Sequence, residues 1–176
     1  MKIIKWKVIS REVAFTANIF RYVKLKSESP TTGKVGDFDL IQCVNWVNVI
    51  AITKDQKIVL IKQYRHGTDA VTVEIPGGAV NHNEDPRLAA ERELIEETGY
   101  TSSNWKHLGR VDANPAFMSN QCDTYLALDC EKTHDQEFDP FEEIEVYLRD
   151  VKDIRSMVTS GEITHSIVIS ALYFFA

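Results

Sequence analysis

The stretch from residue 78 to residue 100, Gly78-Ala79-Val80-Asn81-His82-Asn83-Glu84-Asp85-Pro86-Arg87-Leu88-Ala89-Ala90-Glu91-Arg92-Glu93-Leu94-Ile95-Glu96-Glu97-Thr98-Gly99-Tyr100, decides how the rest of the chain is read. Asp85 is a good N-cap, Pro86 suits the first helical position and Gly99 is a good stop, so the spacing predicts a helix over 86–98. Glu93, Glu96 and Glu97 stand at i, i+3 and i+4. At about 100° per residue they share an arc of roughly 100° on one face. Leu88, Leu94 and Ile95 lie on the other side, where they are expected to pack on a sheet, and Ala89 and Ala90 are expected to flank the acidic arc and leave it open. Two readings of that arc stand side by side. A run of glutamates on a helix is commonly a solvated face. Like charges at i, i+4 nevertheless repel by about a few tenths of a kcal/mol, and no lysine stands at a relieving spacing, although Arg92 lies four residues before Glu96. Three converging carboxylates with open space before them suit a hard divalent cation such as Mg2+ or Mn2+.

Working outward, residues 44–53 and 58–64 read as a hairpin around Lys54-Asp55-Gln56, and 71–75 as a short strand broken by Pro76-Gly77-Gly78. Residues 105–111, 122–128 and 144–148 read as further strands, and 150–159 and 163–175 as closing helices parted by Ser160-Gly161. Residues 2–26 alternate loosely between apolar and charged positions and read as two or three strands, followed by a loop over 27–37. Strands and helices mix without strict alternation, which predicts an α+β fold with a mixed sheet flanked by helices. The expected division is an N-terminal β-strand module, residues 1–43, and a main domain, residues 44–176.

The 176 residues hold 20 Lys and Arg against 26 Asp and Glu, a net charge of −6. Such a chain has no general attraction to nucleic acid or to an anionic membrane surface. A phosphorylated substrate would have to be met by a local basic cluster or through a metal. Cys43, Cys122 and Cys130 are odd in number and have no metal-ligand spacing, which fits free thiols in a reducing compartment. The apolar stretches near the N-terminus are too short for a signal peptide, and no run approaches a membrane span. A cytoplasmic location is expected.

The longer pattern resembles the Nudix box, the signature of hydrolases that cleave a nucleoside diphosphate linked to another group. From Gly78 there are five residues to Glu84 and seven more to Arg92, followed by Glu93-Leu94-Ile95-Glu96-Glu97-Thr98-Gly99. Every fixed Gly, Glu and Arg is matched, and Tyr100 replaces the usual bulky aliphatic residue. The resemblance implies a Nudix-type α/β/α sandwich with a mixed β-sheet. It implies that Glu93 and Glu97 are the chief metal ligands and catalytic acids, with Glu96 and the Gly77 carbonyl supporting them. Glu84 and Arg92 would brace the loop against the helix as a buried pair.

Two further features resemble the ADP-ribose and nucleoside diphosphate sugar hydrolases of the family. Pro115 stands fifteen residues beyond Tyr100, and Gln63-Tyr64-Arg65 followed by Glu74-Ile75-Pro76-Gly77-Gly78 looks like that group's approach to the box. Arg65 would face the diphosphate, where a planar guanidinium matches phosphate oxygens, and could pair with Glu74 as well. The N-terminal strands resemble a module that in this group completes a homodimer and holds the nucleoside, with Phe15, Phe20 and Arg21 as candidate contacts. The loop Asn114-Pro115-Ala116-Phe117-Met118-Ser119-Asn120 departs from the glycine-rich form usual in ADP-ribose enzymes. Its Phe117 and Met118 would wall the second phosphate or distal sugar and leave other nucleotide sugars open as substrates.

In this family the region corresponding to 131–145 supplies a further carboxylate for metal or for the attacking water. By position Glu142 is the first choice, with Glu143 and Asp139 behind it. The implied reaction is metal-dependent hydrolysis, with Mg2+ or Mn2+, of a small-molecule nucleotide sugar to a nucleoside monophosphate and a sugar phosphate. Two alternatives remain: a hydrolase of nucleoside triphosphates or dinucleoside polyphosphates, and a non-catalytic domain that senses a nucleotide sugar.

Overall fold

The structure is a computed structural model that describes residues 2–138 and 140–175. In chain order its elements are β1 (Lys7–Thr16), β2 (Arg21–Glu28), β3 (Val35–Gln42), β4 (Trp46–Thr53), β5 (Lys57–Arg65), β6 (Ala70–Glu74), β7 (Gly77–Ala79), α1 (Pro86–Thr98), β8 (Tyr100–Thr101), β9 (Asn104–Asp112), β10 (Gln121–Lys132), β11 (Ile144–Asp150), α2 (Ile154–Thr159) and α3 (Ser166–Phe175). A 3-10 turn, Val151–Asp153, leads into α2. The chain divides into two compact units. One takes the chain up to Val44 together with Asp112–Gln121, and the other takes Asn45–Val111 and Cys122–Ala176.

The larger unit is built on the order β11-β5-β4-β10-β8, with β6 on β5, β7 on β4 and β9 on β10. β4 and β10 run parallel, while β4–β5, β5–β6, β4–β7 and β5–β11 are antiparallel, so the sheet is mixed. Both faces are covered, which is why β4 and β5 read as near-continuous apolar runs. Alternate side chains serve opposite layers. Ile50, Ile52, Ile58 and Leu60 pack with Ile154, Met157, Val168 and Leu172 of α2 and α3. Val47, Val49, Ala51 and Val59 pack with Ala89, Ala90 and Leu94 of α1. This is the α/β/α sandwich expected of the α+β class.

α1 begins and ends where the sequence predicts. Asp85 accepts hydrogen bonds from the Arg87 and Leu88 N–H groups, and Gly99 closes the helix at φ 74°. Which side faces the sheet differs from expectation. Leu88 is 60% exposed, whereas Ala89 and Ala90 are fully buried. The small side chains let the helix lie close on β4, so they form the packing face and do not border an open arc. Leu94 and Glu97 complete that buried face one and two turns on.

The smaller unit is an antiparallel sheet in the order β1-β2-β3. β3 falls partly inside the segment read as loop, because its Gly36, Asp37 and Asp39 dilute the apolar signal. The Asp112–Gln121 loop joins this sheet through Ile41, whose N–H donates to the Phe117 carbonyl at 2.7 Å and whose carbonyl accepts from the Ser119 N–H at 3.1 Å. Every residue of β1 is exposed, and Val23 is the one fully buried apolar side chain described in the unit.

Candidate active site

The approach to α1 explains the two glycines of β7. A Cβ on Gly77 would stand 2.3 Å from the Val47 carbonyl oxygen, and one on Gly78 would stand 2.5 Å from the Glu93 carboxylate. At Gly77 the clash is with backbone, so glycine lets the strand lie against β4, while at Gly78 a side chain would displace the Glu93 carboxylate. The Gly77 N–H then donates to Glu97 Oε2 at 2.8 Å.

Arg92 is the cation of the acidic face. Its Nε and Nη2 bind both oxygens of Glu84 at 2.9 and 3.1 Å, and Nη2 also donates to the Ala79 carbonyl at 3.0 Å. Its Nη1 reaches Glu93 Oε1 at 2.8 Å and Glu96 Oε2 at 2.9 Å. The hydrogen bonds of Arg92 hold the Glu84 carboxyl below its ordinary value. The Glu84–Arg92 brace is therefore present, and the same guanidinium serves Glu93 and Glu96, two of the three glutamates on the acidic arc.

Glu97 is the exception. It is 4% exposed, and among the described residues the one hydrogen bond to its carboxylate comes from Gly77. Burial pushes its carboxyl well above the usual carboxylate range, the nearby charges of Glu93 and Glu142 add to the rise, and the Gly77 N–H and Arg65 oppose it. Glu93 is raised too, first by burial and then by Glu96 and Glu142, against the charge of Arg92.

The loop after β10 is fastened to this end of the helix. The N–H groups of Thr133 and His134 donate to the Gly99 carbonyl, Glu137 N–H donates to Glu96 O at 2.9 Å, and Gln136 Nε2 donates to Glu97 O at 2.7 Å. These bonds satisfy carbonyls that a helix C-terminus leaves unpaired. They were not legible from sequence, since nothing local marks Gln136 as a cap. Glu142, half-buried further along the loop, acts electrostatically on Glu93, Glu97 and Arg65. Glu143 is exposed, and Asp139 lies outside the described residues. Glu142 also lines an open cleft of about 470 Å3 with Lys62, Gln63, Tyr64 and Phe138.

Arg65 ends β5 and clasps Glu74, with Nε on Oε1 and Nη2 on Oε2, both at 2.8 Å. Thr72 Oγ1 adds a bond to Oε1 at 2.6 Å, and His165 Nδ1 stands 3.1 Å from Oε2. Burial by itself would raise the Glu74 carboxyl, but the bonds from Arg65 and Thr72 and the nearby imidazole of His165 outweigh it and hold the group well below the usual range. Sequence reasoning missed His165, whose contact with Glu74 joins two elements far apart in the chain.

The remaining candidates belong to the smaller unit. Phe15 is on β1 and 59% exposed, Phe20 is half-buried at the turn before β2, and Arg21 is exposed at the start of β2. Pro115 and Phe117 are exposed and Met118 is half-buried on the loop paired with Ile41.

A glycine-lined strand laid against a helix that carries a buried carboxylate defines the class of site. Residues 45–169 match the NUDIX domain family, and this chain belongs to the Nudix family. It is 30% identical over 164 residues to the ADP-ribose pyrophosphatase of Bacillus subtilis, covering 93% of this chain and 88% of that protein. It is 34% identical over 126 residues to the methanol dehydrogenase activator of Bacillus methanolicus, covering 72% and 68%. The ADP-ribose pyrophosphatase of Mycobacterium tuberculosis is 28% identical over 173 residues, covering 95% and 81%. A crystal structure of an ADP compounds hydrolase superposes with a TM-score of 0.86 at 18% identity, over 99% of this chain and 94% of that one, and shares the fold.

Nudix hydrolases generally use divalent metal ions. Among the described residues no three histidine, cysteine, aspartate or glutamate side chains form a ready-made cage, and Arg92 holds Glu93 and Glu96. The donor chemistry nonetheless fits a hard divalent ion. Three carboxylates project from one helix, and the buried one, Glu97, has like charges as neighbours and no side-chain cation hydrogen-bonded to it among the described residues. No described helix is long and apolar enough to cross a membrane.

Proposed function

We propose that this protein hydrolyses the diphosphate bond of nucleoside diphosphate sugars, ADP-ribose foremost, to a nucleoside monophosphate and a sugar phosphate. The observation that carries the reading is the desolvated Glu97 carboxylate, held by Gly77 beside Glu93 and Glu142 in a chain of this family. Two relatives matched over most of their length are ADP-ribose pyrophosphatases.

Glu93, Glu96, Glu97 and the Gly77 carbonyl would hold Mg2+, with Mn2+ as a substitute. The ion supplies Lewis acidity toward the phosphoryl oxygens and offsets their charge. Glu142 would accept the proton of the water that attacks phosphorus, while the bridging oxygen leaves with the second phosphate. Arg65, braced by Glu74, would bind the diphosphate oxygens. Arg92 would hold Glu93 and Glu96 in orientation.

The proposal extends to the smaller unit. The unit exposes Ile9, Val13, Phe15, Ile19 and Phe38 and has almost no core of its own among the described residues, which supports residues 1–43 as a dimerisation and nucleoside-binding module of a homodimer, with residues 44–176 as the hydrolase domain. Phe15, Phe20 and Arg21 would hold the nucleoside, and Pro115, Phe117 and Met118 would limit the distal group. Three free cysteines, two of them buried, agree with a cytoplasmic setting.

The test is product release from ADP-ribose, ADP-glucose, GDP-mannose, UDP-glucose and ATP, in Mg2+ and then in EDTA. Metal-dependent turnover of the sugars without ATP is expected. Turnover of ATP alone would overturn the substrate class, and binding of a nucleotide sugar without turnover would overturn the enzyme reading.

A further inference from the structure

His165 is an unusual residue for its place. Its carbonyl accepts the Ile169 N–H at 3.0 Å, which makes it the N-cap of α3. That position favours Ser, Thr, Asp or Asn, whose short side chains bond the first free N–H groups of the helix. Thr164 and Ser166 stand on either side of it, so the sequence holds capping chemistry one residue away in both directions. The imidazole instead turns to Glu74, with a buried Nδ1 at ion-pair distance from Oε2 and off hydrogen-bond alignment. A local preference is given up for a contact across the fold, and such departures mark functional positions.

Glu74 is the hub of this contact. It is 3% exposed, while the side chains that flank it, Arg65 and His165, are 43% and 37% exposed. Arg65 spends Nε and Nη2 on Glu74, among the described residues no hydrogen bond takes Nη1, and the charges of Glu97 and Glu142 bear on the guanidinium. The direction of that guanidinium is therefore set by where the Glu74 carboxylate is held. Thr72 fixes Oε1 from within the same strand, and His165 bears on Oε2 from the start of α3.

We propose that His165 is a positioning residue for substrate binding: through Glu74 it holds the Arg65 guanidinium toward the substrate's diphosphate. The inference rests on the nucleotide sugar reading for its substrate and on Arg65 for its effect. Without His165, Oε2 of Glu74 keeps its bond to Arg65 but loses its contact with the start of α3, so the Glu74–Arg65 pair is less firmly directed, which weakens binding and leaves the acidic machinery on α1 in place.

The experiment measures ADP-ribose affinity by calorimetry in EDTA, and KM and kcat in Mg2+, for the wild type, His165→Ala, His165→Gln, Arg65→Ala and the His165→Ala/Arg65→Ala pair, each checked for an intact fold by thermal unfolding. His165→Ala is expected to raise Kd and KM about tenfold, the scale of a weakened charge-assisted contact, with kcat within about twofold. His165→Gln, which keeps an N–H donor, recovers most of the affinity. In the Arg65→Ala background the histidine change adds nothing, since residues that act through one another are not additive. Unchanged affinity in His165→Ala, a loss confined to kcat, or full additivity with Arg65→Ala would each overturn the proposal. Wild-type binding without turnover would sink the hydrolase reading and leave the affinity comparison standing. No binding by the wild type in EDTA and no turnover in Mg2+ would together overturn both, and absent binding in EDTA with turnover in Mg2+ would overturn the His165 proposal if KM is unchanged in His165→Ala.

Discussion

Glu74 at the end of β6 and Glu97 in the last turn of α1 are almost equally buried, at 3% and 4% exposed, yet their carboxyls shift in opposite directions. The cause is the count of donors. Glu74 has two bonds from Arg65, one from Thr72 and a 3.1 Å contact with His165 Nδ1. Glu97 has one backbone N–H, with Glu93 and Glu142 nearby as like charges. A buried charge is tolerated when paired and costly when not. Glu74 is thus a compensated anchor, and Glu97 is a buried carboxyl with no side-chain cation hydrogen-bonded to it among the described residues, where the proposed function places the metal.

The contrast can be broken in several ways. The largest effect falls on catalysis. Glu97→Gln keeps shape and volume but removes the charge, and steady-state turnover in Mg2+ should fall on the order of a thousandfold, the scale seen when one transition-state-stabilising group is lost. Next comes the anchor. Glu74→Ala leaves the Arg65 guanidinium without its partner, and urea unfolding should show a loss of about 3 kcal/mol, the lower end for breaking a buried pair because Arg65 is itself partly exposed. A loss below about 1 kcal/mol would mean that Glu74 is not the hub described.

The pH dependence sharpens the same comparison. Glu74 has a depressed folded pKa, so its stabilisation is present above the unfolded glutamate value of about 4.3 and is lost as pH falls through the folded value. Glu97 has a raised folded pKa, so in metal-free protein stability is lost as pH rises from about 4.3 through the folded value. In EDTA, Glu97→Gln should therefore be more stable than the wild type at pH 7, with the gap closing near pH 4. Mg2+ should raise the melting temperature of the wild type more than that of the variant. An equal rise in both would contradict the placing of the ion at Glu97. The smallest effect concerns the loop. Gln136→Ala removes one hydrogen bond to the Glu97 carbonyl and should cost about 1 kcal/mol in urea unfolding.

Much of this was written in the chain. Asp85, Pro86 and Gly99 delimit α1 at the residues where the structure begins and ends it, because capping is local chemistry. The face it buries was not legible. Period alone cannot choose between a stripe with Leu88 and one with Ala89, Ala90 and Leu94, and the closeness of β4 selects the small residues. The same choice carries Glu97 inward, which no hydropathy rule would favour. β3 was obscured because an exposed strand has no need of an apolar face. His165 and Gln136 were beyond reach because their partners, Glu74 and Glu97, lie far away in sequence and meet them only in the folded sheet and loop.

The most direct measurement is the rate of AMP release from ADP-ribose in Mg2+ by the wild type and by Glu97→Gln, with thermal unfolding of both as the control for fold. A metal-dependent rate that drops on the order of a thousandfold in a variant that stays folded is the expected result. Turnover near the wild-type rate in that variant would contradict the assignment of Glu97 as the carboxylate that awaits the metal.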